Sequence, residues 1–394
     1  MEASVGGVLG GSLTGIVHLI RRLDRARFAP AVVLYEPKDL GLEGVPIHVL
    51  PSLPVPPLDA GRGRVARAAL RVRELLGVVL PRARALARVL RRERPDLVYL
   101  ANGITTNLDG VIAAAVCGLP VLCHEKGLRR MGPIERVLSR WVDTSVGMTE
   151  EVTAHLRGHR ARCGRFLTVY DGIDLDEFRP GGGPAVRREL GIAPGAPVVG
   201  IVGNLQEWKG QHLFAEAVAR ARRDVPGLRG LVVGGVHRHG AAYAERVRGI
   251  VAREGLGDAV LLTGARRDVA ACMDAMDVVV HSSTRREPFG RVLIEAMALG
   301  RPLIAPAEGG PREIVVDGES GLLVPPRDPA ALAAAMVALL NDGARRAAMG
   351  RAARARVEAV FDIRQHVRTM ETVMDETIAR RRPARRVIAA ARAA

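Results

Sequence analysis

The segment from Asp277 to Glu313 constrains the fold more tightly than any other part of the chain. It opens on a short apolar run, residues 277–281, rich in β-branched side chains and so read as a buried strand. A loop of Ser, Thr and Arg follows, then Pro288-Phe289-Gly290, then a helix with Leu293, Met297 and Leu299 on its apolar side. Gly300 ends that helix, Pro302-Leu303-Ile304-Ala305 reads as the next strand, and Glu308-Gly309-Gly310-Pro311 is a second glycine turn feeding a short helix. Two loops at the carboxyl ends of neighbouring strands, each running into a helix N-terminus, form an anion and sugar site in an open α/β sheet.

The same alternation runs through the chain. Residues 31–35, 46–50, 96–100, 120–124, 145–148 and 166–169 read as strands separated by helical stretches, which implies a parallel sheet. Residues 198–202, 231–233, 260–263 and 278–281 repeat the pattern after a Pro/Gly-rich stretch, 178–184, read as a linker. A chain of 394 residues accommodates two domains of ordinary size. They are expected at 1–178 and 185–360, with a last helix over 361–381 returning to the first domain and a basic tail, 382–394, read as disordered or attracted to lipid. Ahead of Gly10-Gly11-Ser12 the first strand is reduced to a few residues around Ala3–Val8; either it is short or the start lies inside the gene. Gly10 and Gly11 would let a phosphate or sugar approach backbone N–H groups where a helix over about 14–23 begins. A plain tight turn is the rival reading, whereas the spacing does not fit a dinucleotide G-x-G-x-x-G loop.

The net charge of +16 implies acidic partners, although an Ala- and Arg-rich composition of this kind also follows from codon bias. Lysine occurs only at 38, 126 and 209, where a compact ammonium has a use that Arg does not serve. Residues 62–94 give two basic, apolar-faced helical stretches interrupted at Pro81. They suit an anionic membrane surface, and they suit equally an outer helix packed on the sheet with a solvated basic face. Aromatic residues make up only 3% of the chain, so the stacking that nucleic acid requires is missing and no nucleic-acid partner is expected. The cysteines at 117, 123, 163 and 272 show neither C-x-x-C nor metal-ligand spacing and read as reduced thiols. With no secretory signal and no apolar run near the ~20 residues of a membrane span, a cytoplasmic protein is expected, peripheral on the inner membrane face if the basic helices touch lipid.

Glu287 and Glu295 stand eight residues apart, one before the 291–298 helix and one within it. This E-x7-E spacing, followed by EAMALGRPLIA and EGGPREIVVDGESGLLVPP, resembles the retaining nucleotide-sugar glycosyltransferases of the GT-B fold, family 4 (glycosyl transferases group 1), closely over residues 195–330 and loosely elsewhere. The resemblance implies an α/β architecture of two Rossmann-like domains whose parallel sheets face each other across a cleft. It also implies transfer of a hexosyl unit from a nucleoside-diphosphate sugar to an acceptor hydroxyl, with anomeric retention; the basic helices over 62–94 are the ground for expecting a sugar or lipid-linked acceptor in cell-envelope polysaccharide or glycolipid synthesis. GNLQEWKGQHLFAEAV resembles the family's donor-diphosphate loop and helix, with Lys209 poised to neutralise the pyrophosphate. Asn204 stands where the family usually has Arg, a contact that Arg291 would then supply.

By the same resemblance Glu295 accepts the ribose hydroxyls, Glu287 sits beside the donor sugar, and His124 holds that sugar from the first domain. Phe289, Gly290, Val292, Gly309 and Gly310 complete the donor site, with Gly10 and Gly11 across from it, and residues 264–269 stand where the base is contacted. Asp171 replaces the family's usual Asn in Tyr170-Asp171-Gly172-Ile173-Asp174. Asp174-Leu175-Asp176 looks like a metal-binding D-x-D, but that motif belongs to a different glycosyltransferase fold; no metal and no cofactor are expected. Two rivals stay open: an epimerase or phosphorylase of the same fold, and a non-catalytic membrane-surface binding protein.

Overall fold

The computed structural model describes the backbone of residues 11–53 and 64–393, with side chains over 13–53 and 69–381. The chain forms two compact α/β units and passes between them at Gly15/Ile16, at Val169/Tyr170 and again at Gln365/His366.

In the N-terminal unit, β1 (Val32–Leu34) and β2 (Ile47–Val49) pair in parallel. The strands β3 (Val98–Ala101), β4 (Val121–Glu125), β5 (Thr144–Gly147) and β6 (Phe166–Thr168) form a parallel sheet in that order. Strands β4 and β5 are buried along their whole length, as expected of a sheet covered on both faces. The core beneath gathers Leu86, Leu90, Val98, Leu100, Val111 and Val121. The helix expected over about 14–23 runs over Gly11–Arg22, so Gly11 is in its first turn and not in a loop before it; Gly10 and the residues proposed for the first strand lie outside the described residues.

The interruption expected at Pro81 takes the form of a π turn, Leu75–Val79, between helices Arg64–Glu74 and Leu80–Glu93. Pro81 then falls in a first helical turn, where its missing N–H is least needed. The last helix, Ile363–Ala393, docks on this unit from residue 366 onward: Thr377 Oγ1 donates to Thr144 Oγ1 at 2.8 Å, and Arg381 pairs with Asp143 at 2.7 Å. Residues 382–393, read from sequence as a tail, continue that helix; Ala and Arg are strong helix formers.

The C-terminal unit carries β7 (Val198–Val202), β8 (Arg229–Val233), β9 (Val260–Gly264), β10 (Val278–Val280), β11 (Leu303–Pro306) and β12 (Leu322–Val324). All pair in parallel in the order β12-β11-β10-β7-β8-β9. Its core is mostly aliphatic, with Val232, Val278, Ile304 and Met336 fully buried around Phe214. The edge strand β12 has no counterpart in the sequence reading, because three residues between Gly321 and Pro325 carry too little pattern.

Residues 178–184 do not behave as a linker. Phe178 is buried, and the backbone N–H groups of Gly181 and Gly183 each donate to Asp274 Oδ2 at 2.8 Å. The small residues serve close approach there: a β-carbon on Gly183 would lie 2.5 Å from the Asp274 carbonyl oxygen.

Candidate functional site

Strands β7 to β9 run outward on one side of the second sheet and β10 to β12 on the other, so the order reverses between β7 and β10. Ligands of open α/β sheets bind outside the carboxyl ends of the strands at such a point. The loops leaving β7 and β10 there are joined by hydrogen bonds to backbone carbonyls. Gly210 caps the helix Gln211–Ala221 with φ 75°, and Ser282 Oγ donates to its carbonyl at 2.9 Å. One step along, Thr284 N donates to the Trp208 carbonyl at 2.8 Å.

That junction aims Lys209, at the end of a single 3-10 turn, at the second loop. Its Nζ lies 3.0 Å from Glu287 Oε2 and 3.8 Å from the centroid of the Trp208 ring. The two side chains are 24% and 11% exposed, a largely desolvated pair. Ser283 Oγ donates to the same Glu287 oxygen at 3.4 Å, and His281 Nε2 stands 3.7 Å away. Burial works to raise the Glu287 carboxyl, but Lys209, His281 and Ser283 together hold it below the ordinary glutamate range. Burial drives His281 down to about 4 against the pull of Glu287, so its imidazole is neutral at neutral pH.

The loop after β11 closes on the same residue. Gly310 N donates to the Glu287 carbonyl at 2.8 Å, and a β-carbon on Gly309 (φ 73°) would lie 2.5 Å from that oxygen. Gly290, also left-handed, caps the helix Arg291–Ala298. Phe289 is buried edge-on against Phe361, and Val292 is half-exposed. One turn into the helix, Glu295 Oε1 accepts from Arg291 Nε at 3.3 Å. Burial pushes the Glu295 carboxyl up, with Arg291 and the more distant Lys209 opposing it. Arg291 also donates to the Gly172 carbonyl at 3.4 Å. Asn204 is half-exposed in the β7 loop, its carbonyl accepting from Gln211 Nε2 at 3.1 Å. Lys209, Glu287, Glu295 and the glycine turns are therefore gathered at one end of one sheet.

His124 lies in the other unit, fully buried in β4, with Nδ1 2.6 Å from the Tyr99 hydroxyl and its ring stacked near His366 at 6.2 Å. Gly11 begins the 11–22 helix. Asp176 of the D-x-D triplet is engaged by Arg179 and, at 3.1 Å, by Arg364, which leaves a carboxylate already matched with positive charge. Sequence reasoning missed His281 and Ser283. The available signal was position: both stand where strand β10 delivers its chain to the switch point. It also missed Arg327, which binds the Thr284 carbonyl at 3.0 Å and Glu308 at 2.7 Å; no motif announces a pair 19 residues apart.

Two family descriptions account for nearly the whole chain: "Glycosyltransferase Family 4" matches residues 9–177 and "Glycosyl transferases group 1" residues 184–356. The chain belongs to the family 4, group 1 glycosyltransferases. Among its relatives, the D-inositol 3-phosphate glycosyltransferase of Mycobacterium marinum is 36% identical over 233 residues, covering 58% of this chain and 49% of that protein. The enzyme of the same name from Nocardia farcinica is 34% identical over 66% of this chain and 56% of its own length. The chain thus spans about half the length of the curated relatives it matches. In structure it is similar to Anabaena HepE, solved in complex with UDP and glucose, with a TM-score of 0.78, 24% identity and coverage of 94% and 98% of the two chains. It is also similar to a sucrose-phosphate synthase from Thermosynechococcus elongatus, with a TM-score of 0.77, 25% identity and 94% coverage of each chain. The fold of this family member is GT-B.

Proposed function

We propose that the protein transfers a glycosyl unit from a nucleoside-diphosphate sugar to an acceptor hydroxyl, with the anomeric configuration retained. The observation that carries this is the largely desolvated Lys209–Glu287 pair at the strand-order reversal, flanked by glycine-capped helix starts at Gly210 and Gly290. A departing nucleoside diphosphate gathers negative charge on its β-phosphate. Lys209 and the N-terminus of the 211–221 helix stabilise that charge before reaction begins, so no reorganisation is needed as it develops. Glu295 accepts the ribose hydroxyls, and Glu287 orients the donor sugar and steadies positive charge at its anomeric carbon. Gly309 and Gly310 hold Glu287 in place through its backbone, and Arg291 holds Glu295. This arrangement assigns no step to a metal.

The acceptor is a sugar or lipid-linked alcohol of the cell envelope. A phosphorylated polyol is a second class of acceptor, a reading supported by the names of the D-inositol 3-phosphate glycosyltransferase relatives. No helix among the described residues is long and apolar enough to cross a membrane. The basic 64–93 helical run leaves Val72 and Leu76 half-exposed or more, at 50% and 60%, which supports a protein resting on an anionic bilayer. Incubation with UDP-, GDP-, ADP- and dTDP-sugars and an acceptor panel that includes inositol 3-phosphate tests the reading. Release of nucleoside diphosphate with an α-linked product from an α-linked donor supports it. Interconversion of donor without transfer points to an epimerase instead, and formation of sugar 1-phosphate from a glycoside and added inorganic phosphate points to a phosphorylase.

A further inference from the structure

His281 is the buried group of the site for which the family resemblance supplies no role. Its side chain is 4% exposed, and no described residue hydrogen-bonds its Nε2, which lies 3.7 Å from Glu287 Oε2. The charged groups around it are few: Lys209 from the β7 loop, Glu287 from its own loop, and Arg327 and Asp328, of opposite sign, across a small cavity. Lys209 now serves Glu287 at 3.0 Å. A diphosphate entering the site competes for that one ammonium, and a largely buried carboxylate left without a cation is costly. The nearest group able to replace it is the His281 imidazole.

We propose that His281 positions Glu287 in the donor complex: as the diphosphate draws Lys209 away, His281 takes a proton from solvent and its Nε2–H donates to the Glu287 carboxylate. The 3.7 Å gap closes to a charge-assisted bond of about 2.8 Å. Donor binding is thereby coupled to proton uptake. Both changes act in the needed direction, since Lys209 disfavours the imidazolium and Glu287 favours it. The proposal rests on the donor-site reading above.

Titration calorimetry at about pH 6, in buffers of low and high ionisation enthalpy, tests it with UDP-glucose, GDP-mannose and ADP-glucose as probes. Their diphosphate diesters carry no exchangeable proton near neutrality. The probe that binds is expected to take up a substantial fraction of one proton per site, and this uptake is expected to vanish in His281→Asn and in Glu287→Gln. A proton count on binding that is the same in His281→Asn as in the unaltered protein overturns the proposal while leaving the donor site standing. Should His281→Asn fail to fold, the wild-type enthalpies and Glu287→Gln still decide. If none of the probes binds, the donor-site reading itself fails and this inference falls with it.

Discussion

Gly210 and Ser282 are in backbone contact: a β-carbon on Gly210, at φ 75°, would lie 1.9 Å from the Ser282 carbonyl oxygen. This contact sets the β7 loop against the β10 loop and so determines that Lys209 meets Glu287. Gly210→Ala is expected to lower stability by about 2–4 kcal/mol, combining a left-handed φ with a collision against backbone that has little room to retreat. Gly227 has the same φ, 75°, but open space around it. Gly227→Ala should therefore cost only about 1 kcal/mol. Urea midpoints at unchanged slope measure both, and equal losses would show that the loop contact contributes nothing.

Removing Lys209 leaves Glu287 buried without its cation. Lys209→Met is expected to cost about 1–3 kcal/mol at neutral pH, as well as nucleotide affinity. In the unaltered protein the folded Glu287 is held below its unfolded value, so its contribution is present above the unfolded pKa and lost as pH falls through the folded one. In Lys209→Met burial acts with less opposition and the sign reverses: the deficit shrinks as pH falls and the carboxyl takes a proton. Denaturation of Lys209→Met across pH 4 to 8 checks this, and Lys209→Met/Glu287→Gln should recover most of the loss.

Glu295 carries the opposite shift, its carboxyl raised by burial. A protonated Glu295 cannot accept two ribose hydroxyls. Nucleotide affinity is expected to weaken as pH falls through that raised pKa, which lies above the ordinary 4.5. Glu295→Gln should weaken binding about tenfold or more and flatten this limb of the pH profile, since a neutral amide does not titrate.

Much of this architecture was legible in the sequence because it is written in local pattern. The strand at 198–202 and the helix starting at Arg291 follow from β-branched runs and a capping glycine, and the acids at 287 and 295 from their spacing. What escaped was non-local. His281 acquires meaning only once β10 lies beside β7 and brings Lys209 to Glu287. Arg327 meets Glu308 only after β12 has folded back beside β11. Composition misled at residues 178–184, where glycine and proline signalled a linker but instead permit tight docking on Asp274.

Asp274 tests that last point. Its side chain, 2% exposed, accepts from Gly181 N and Gly183 N and pairs with Arg301. Burial tends to raise its carboxyl, but those partners prevail and hold it below the ordinary 3.8. Asp274→Asn keeps an acceptor but loses the charge, and is expected to cost about 2–3 kcal/mol and to open residues 178–184 to protease. The contribution of Asp274 should persist down to its ordinary pKa and disappear only as pH falls through the lowered one.

The most direct measurement is a thermal-shift series with UDP, GDP, ADP and dTDP on the unaltered protein and on Lys209→Ala. One nucleotide, at 100 times its Kd, is expected to stabilise the unaltered protein by about 2.7 kcal/mol. Lys209→Ala should lose most of that shift at the same concentration. A melt that none of the four nucleotides moves, or a shift that survives intact in Lys209→Ala, would contradict a diphosphate site built on Lys209.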